Sequence, residues 1–154
     1  MWYPAGGMLI ERATTADYVA IVDSLADYWG GRDMRAQHHA MFIHEFGDTA
    51  LVLRDDDGGI AAYLFGFVAP TGVGYIHLVG VRADSRRDGL GRRLYGEFET
   101  LARRRGATAL KAITAPTNHA SIAFHRALGM SADEVADYSG TGHSRIVFSR
   151  QLSE

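Results

Sequence analysis

The chain has 154 residues, 47% hydrophobic and 22% charged, enough for one domain with a proper core and without the polar composition of a disordered chain. A formal net charge of −2 argues against a general nucleic-acid binder, and the absence of cysteine excludes disulfides, thiolate metal sites and a cysteine nucleophile. No apolar run approaches a membrane span, and Met1-Trp2-Tyr3-Pro4 lacks the basic region and apolar core of a secretion signal, so a cytoplasmic protein without membrane contact is expected.

Residues 1–7 read as a lead-in and 8–152 as a single domain, which Met8-Leu9-Ile10 opens with a strand. Thr14-x-x-Asp17 has the form of a capping box, and Tyr18, Ile21, Val22, Leu25 and Trp29 share one face of the helix behind it until Gly30-Gly31 breaks it. The spacing predicts a second helix over about residues 34–46, with Met41, Phe42 and Phe46 inward. It carries His38, His39 and His44, but no zinc-binding spacing, so no metal is expected. Residues 50–54 and 60–68 read as strands joined by a solvated hairpin tip, Asp55-Asp56-Asp57-Gly58-Gly59.

Residues 75–81 are β-branched and aromatic, and Gly80 among them suggests a bulge or a close backbone approach. The turn Arg86-Arg87-Asp88-Gly89-Leu90-Gly91 follows, with Asp88 placed to hold it through its side chain. Then Leu90, Leu94, Phe98 and Leu101 mark the buried stripe of a helix that ends in Arg103-Arg104-Arg105 and stops at Gly106. A helix's first turn has N–H groups without intrahelical partners and a partial positive charge. Glycines let an anion come close, and arginines add forked donors. The turn therefore has the makings of a diphosphate cradle, although Gly-x-Gly also occurs in ordinary tight turns. It is not a Walker loop, which needs Gly-Lys-Ser/Thr, nor a Rossmann loop, which needs a third glycine where Leu94 stands.

Residues 109–115 form a further strand, and Pro116-Thr117-Asn118 leads into a helix with Ala120, Phe124, Ala127 and Leu128 as its apolar stripe and Gly129 as its cap. Residues 134–152 read as two strands around Ser139-Gly140-Thr141-Gly142.

Three of these pieces together resemble the GCN5-related N-acetyltransferase (GNAT) family. They are Arg86-x-x-Gly89-x-Gly91, the strand just before it, and Asn118 followed by Phe124-His125-x-x-Leu128-Gly129-Met130. The resemblance implies a single-domain acyl-CoA N-acyltransferase fold: an α/β (α+β) arrangement with a mixed, mostly antiparallel sheet of six to seven strands and about four flanking helices. It implies acetyl-CoA (coenzyme A) as donor and direct transfer to the amine of a small molecule or peptide. Backbone groups of Val79, Gly80 and Val81 would hold the pantetheine arm. Arg86, Arg87, Asp88, Gly89, Leu90, Gly91 and Arg92 would receive the diphosphate, and Asn118, Ser121 and Phe124 would line the cofactor where two strands part. His125 stands where the family usually has the tyrosine that protonates the departing thiolate.

An amine attacks only when unprotonated, so such a site needs a base and a proton for sulfur. His77 is the first candidate for the base, because strand alternation puts it on one face with Tyr75 and Val79 and histidine titrates near neutrality. Tyr75 is the alternative, and a histidine merely hydrogen-bonded in its strand is the competing reading. An acceptor is expected between residues 29–46 and 138–143, where Trp29, Tyr138, His38, His39, His44 and His143 suit an aromatic or aliphatic amine, with a peptide N-terminus second. A homodimer is left open. The reading from another class is a non-catalytic acyl-CoA sensor that has kept the cradle without turnover.

Overall fold

Alternating apolar residues make Ile60–Val68 the strand around which both cores form: Ala62 and Leu64 face one, Tyr63 and Phe65 the other. The structure is a computed structural model describing residues 8–153, so the lead-in at 1–7 lies outside the described residues. In chain order it contains β1 (Leu9–Arg12), α1 (Thr15–Asp23), α2 (Leu25–Trp29), α3 (Met41–His44), β2 (Ala50–Arg54), β3 (Ile60–Val68), β4 (Val73–Val81), α4 (Leu90–Arg104), β5 (Ala109–Thr114), α5 (His119–Ala127), β6 (Ser131–Val135) and β7 (Arg145–Gln151). The strands form one seven-stranded sheet, ordered β1-β2-β3-β4-β5-β7-β6. Every neighbouring pair is antiparallel except β4–β5.

Helices cover both faces. Leu90, Leu94, Phe98 and Ala102 recur every four residues along α4 and pack with Leu64, Ile76, Leu110 and Phe148. On the other face Ile21, Tyr28 and Phe42, from α1, α2 and α3, meet Val52, Tyr63, Phe65 and Leu78. Burying one such side chain contributes roughly 1.5–3 kcal/mol. Truncating the fully buried Phe42 to alanine, with the cavity it leaves, would cost about 3–5 kcal/mol.

The capping box forms as its sequence predicts. Thr14 Oγ1 accepts from the Asp17 N–H at 3.1 Å, and Asp17 Oδ2 accepts from the Thr14 N–H at 2.9 Å. The same Asp17 oxygen takes Arg54 Nη2 at 2.8 Å, and Arg54 Nε meets Glu11 at 2.9 Å, which ties α1 to the sheet edge.

Several local expectations change. The helix behind the capping box ends at Asp23 and a second one starts at Leu25, because Ser24 leaves helical geometry with ψ at 27°. The helix predicted over residues 34–46 breaks into a 3₁₀ turn at Arg35–Gln37 and the short α3. His38 is the cause: its ring Nδ1 takes the Met34 carbonyl at 2.6 Å, the oxygen that its own backbone N–H would bond in a continuous helix. The Asp55 hairpin tip is more than solvated, since Asp55 accepts from the N–H groups of Asp57 and Gly59 and pairs with Arg82 at 2.8 Å. On α5, Ala120 and Ala127 are exposed, and His125 is the residue that turns fully inward. The last hairpin also begins before its expected start, at Ser131, with a loop running to Ser144.

Candidate active site

β4 and β5 pair only at Val73, Gly74 and Tyr75, opposite Ala109, Leu110 and Lys111. Beyond Tyr75 no further pair joins the two strands among the described residues, so the backbone from Ile76 to Val81 is laddered to β3 alone. The opening is a sheet edge inside the molecule, with N–H and C=O groups that an extended chain carrying amides could meet.

A bulge sits in this stretch. Phe65 lies opposite Leu78 and Gly66 opposite Ile76, which leaves His77 as the extra residue. The bulge is therefore at His77, and Gly80 supplies the close approach: a Cβ there would lie 2.6 Å from the Tyr63 ring. Because a bulge shifts the alternation by one residue, His77 and Tyr75 share the α1–α3 face while Val79 packs on the α4 side, contrary to the simple period-two reading.

On that face His77 stacks on Phe42 with ring centroids 4.7 Å apart, and its Nε2–H donates to the Gln37 carbonyl at 3.0 Å. A carbonyl only accepts, so in the neutral ring Nδ1 holds the lone pair. Burial lowers the His77 pKa below its ordinary value. The Tyr75 ring lies 6.4 Å from that of His77 and 5.3 Å from that of Phe67. Its hydroxyl is pushed up to about 12, by burial first and by nearby Tyr138 second. Phe46 extends the aromatic row, 5.0 Å from Phe67.

On the opposite face His125 lies flat on Phe148, with centroids 3.9 Å apart and planes 4° from parallel. Phe148 pairs with Ala112, the first β5 residue past the last rung shared with β4. The Nδ1–H of His125 donates to the Ser121 carbonyl at 2.7 Å, and its Nε2 accepts from the Tyr95 hydroxyl at 2.6 Å. Burial lowers the pKa of His125 and raises that of Tyr95.

The turn before α4 has two residues in left-handed geometry, Arg87 with φ 78° and Gly89 with φ 72°. Gly89 is the N-cap, and no side chain caps the helix or places a carboxylate in its first turn, so the leading N–H groups have no side-chain acceptor. The two glycines have different reasons. Gly89 allows the left-handed turn, whereas Gly91 lets α5 approach, since a Cβ there would lie 3.0 Å from the Phe124 ring. Arg86 reaches back to the Tyr28 carbonyl at 2.8 Å and Arg92 across to the Ala127 carbonyl at 3.0 Å. Arg87, Asp88 and Gly89 are exposed, and Leu90 is buried. Asn118 caps α5 by accepting from the Ser121 N–H at 3.2 Å and donates to Thr114 at 3.0 Å.

Val79, Val81 and Phe124 pack on the same core as Tyr95, so the site residues from β4, α4 and α5 meet around the opening. The histidine-rich stretch divides: His38 is buried, while His39, His44 and His143 are exposed. Among the described residues no group of three or more His, Asp or Glu could hold a metal ion, and no helix is long and apolar enough to cross a membrane. Sequence reading passed over Tyr95, which lies one turn after Gly91 on the buried face of α4. A buried phenol needs a partner for its hydroxyl, and that was the available signal.

The sequence profile of the acetyltransferase (GNAT) family matches residues 18–130. The chain belongs to the GNAT acetyltransferase family. No curated protein matches its sequence. Among solved structures, the Ard1 protein of Thermoplasma volcanium is similar with a TM-score of 0.80 at 17% identity, over 96% of this chain and 99% of that one. A GNAT superfamily phosphinothricin acetyltransferase from Sinorhizobium meliloti, solved in complex with acetyl-CoA, gives 0.72 at 19% identity, over 96% and 89%. The ribosomal-protein-S18-alanine N-acetyltransferase from Escherichia coli gives 0.73 at 20%, over 96% and 95%. At these identities the likeness concerns the GNAT fold, with its seven-stranded mixed sheet and about five helices. The family uses acetyl-CoA as its acetyl donor.

Proposed function

We propose that this GNAT protein is an acetyl-CoA-dependent N-acetyltransferase whose acceptor is a small amine with an aromatic or apolar body. The observation that carries the reading is the bulged His77, held neutral by burial beside an internal sheet edge, with an uncapped helix N-terminus at the far end of that edge. The cofactor supplies an acetyl thioester; the transfer forms a C–N bond, breaks the C–S bond, removes a proton from nitrogen and delivers one to sulfur.

In this reading the first-turn amides of α4, with Arg87 beside them, hold the diphosphate, and backbone groups from Val79 to Val81 hold the pantetheine amides as a missing strand would. Ser121, Asn118 and Phe124 shape the α5 wall. His77 takes the amine proton on Nδ1, and Tyr75 borders the same face. At the sulfur side we assign the proton donor to the Tyr95–His125 pair rather than to His125 alone. Neutral His125 has its single N–H committed to Ser121, and the proton within the pair is on the phenol.

In this reading the acceptor side lies away from its sequence-based position. The half-buried Trp29 and the buried His38 are tied into one hydrogen-bond chain. The amine would instead meet Phe46, Phe67 and Tyr75, with the exposed Tyr138 and His39 at the rim. Such rings favour a compact amine through contact area and cation–π attraction.

The test measures thiol release from acetyl-CoA with phenylethylamine, alkylamines, polyamines and peptides bearing free N-termini. Release above background with phenylethylamine, abolished in His77→Gln, is the expected result. Tight acetyl-CoA binding without release for any amine would favour the sensor reading instead.

A further inference from the structure

Tyr63 lies at the middle of β3, fully buried, in a space that Gly80 leaves open on β4. Its hydroxyl accepts from the Trp29 indole N–H at 2.6 Å and donates to His38 Nε2 at 2.7 Å. The His38 Nδ1–H donates to the Met34 carbonyl, so the series Trp29, Tyr63, His38, Met34 is satisfied in one direction only and requires a neutral His38. Burial lowers the His38 pKa, which keeps it in that form.

This chain of bonds ends in the turn that carries Gln37. A single 3₁₀ turn is weak by itself, closed here by Gln37 N–H to Met34 at 3.2 Å and His38 N–H to Arg35 at 3.1 Å. It is also anchored by the His38 ring, by the Tyr18 hydroxyl, which donates to the His38 carbonyl at 2.7 Å, and by Asp33, which accepts from the Arg35 N–H at 3.3 Å. One residue away, the Gln37 carbonyl takes the Nε2–H of His77. Other titratable groups bearing on His77 are His39 in the loop and Tyr75 on its own strand.

We propose that Tyr63 is a positioning residue for the base: acting through His38, it fixes the turn whose Gln37 carbonyl decides which ring nitrogen of His77 is free to take a proton. The word base rests on the function proposed above; the positioning of the ring does not. A buried hydroxyl that only satisfied its neighbours would stabilise the fold without bearing on His77.

The experiment is nitrogen-15 NMR of the histidine rings in the full chain without ligand, as wild type and as Tyr63→Phe. In wild type, His77 should show a single neutral tautomer with its proton on Nε2 and titrate below 6.5, its ordinary value. In Tyr63→Phe the His38 ring loses its hydroxyl partner, and the turn one of its anchors. Water reaches the ring and the Gln37 bond loosens; relief of burial is the larger effect, so the midpoint should rise toward 6.5 and the tautomers mix. The His125 signals, from the other face of the sheet, should stay in place. A folded Tyr63→Phe with His77 unchanged in tautomer and midpoint overturns the proposal. Should that variant not fold, His38→Gln is read in the same way, and an unmoved His77 there overturns it equally. The base assignment is decided separately by His77→Gln in thiol release, so either conclusion can fail without the other.

Discussion

The Tyr95 hydroxyl on α4 lies 2.6 Å from Nε2 of His125 on α5, and this bond bridges the two helices beneath the point where β4 and β5 part. The orientation follows from the Ser121 carbonyl, which claims the proton on Nδ1. The phenol beside His125 thus comes from the neighbouring helix α4.

Tyr95→Phe is expected to lower turnover by about 10²-fold, the low end for a general acid, because burial makes this phenol a reluctant donor. Its acetyl-CoA affinity should hold. His125→Phe should slow turnover as well and also cost about 1–3 kcal/mol of stability, by leaving a buried hydroxyl without an acceptor. Wild-type turnover in both variants would make the pair purely structural; steady-state kinetics and denaturant melts decide.

Arg87 occupies left-handed geometry without being glycine, a strain of roughly 1–3 kcal/mol. Arg87→Gly should therefore raise the denaturation midpoint while weakening acetyl-CoA binding in calorimetry, through loss of the guanidinium. Opposite signs in the two measurements are the expectation. If affinity is unchanged, Arg87 does not face the diphosphate.

At the acceptor face, Tyr138→Ala and Phe67→Leu should raise the Michaelis constant for phenylethylamine several-fold and leave that for acetyl-CoA in place. A rise in the acetyl-CoA constant alone would assign this mouth to the cofactor.

His38, His77 and His125 all have pKa values lowered by burial from 6.5. The unfolded chain therefore binds protons that the folded one refuses. Stability is full above about 6.5 and is lost as pH falls below it toward each folded value. Urea midpoints should agree between pH 8 and 7 and drop between 6.5 and 5. That window lies above the ordinary carboxylate range, so the drop reports the histidines. A flat profile there would contradict the burial of these rings.

The central strands were legible because each has its own apolar pattern: Ile60–Val68 and Ala50–Arg54 have the boundaries their sequence predicts, whereas the exposed, polar Ser131–Val135 does not. The turn before α4 was legible too, since a glycine turn between strand and helix is a local signal. What failed was set by contacts distant in sequence. Nothing near Met34 announces that His38 will take its carbonyl and stop a helix, because the ring is held there by Tyr63, 25 residues on. The alternation through His77 was misread for a related reason: a bulge is a property of two strands, and one strand's sequence does not contain it.

The three rungs between β4 and β5 also make the sheet a pair of plates, β1–β4 and β5–β7, riveted at one end. Pulled from the open end, such plates separate rung by rung, as in unzipping, rather than all at once in shear. Ligand amides laid across the gap would add rungs where the leverage is greatest. Under force or in hydrogen exchange, the seam itself would then register whether the cleft is filled.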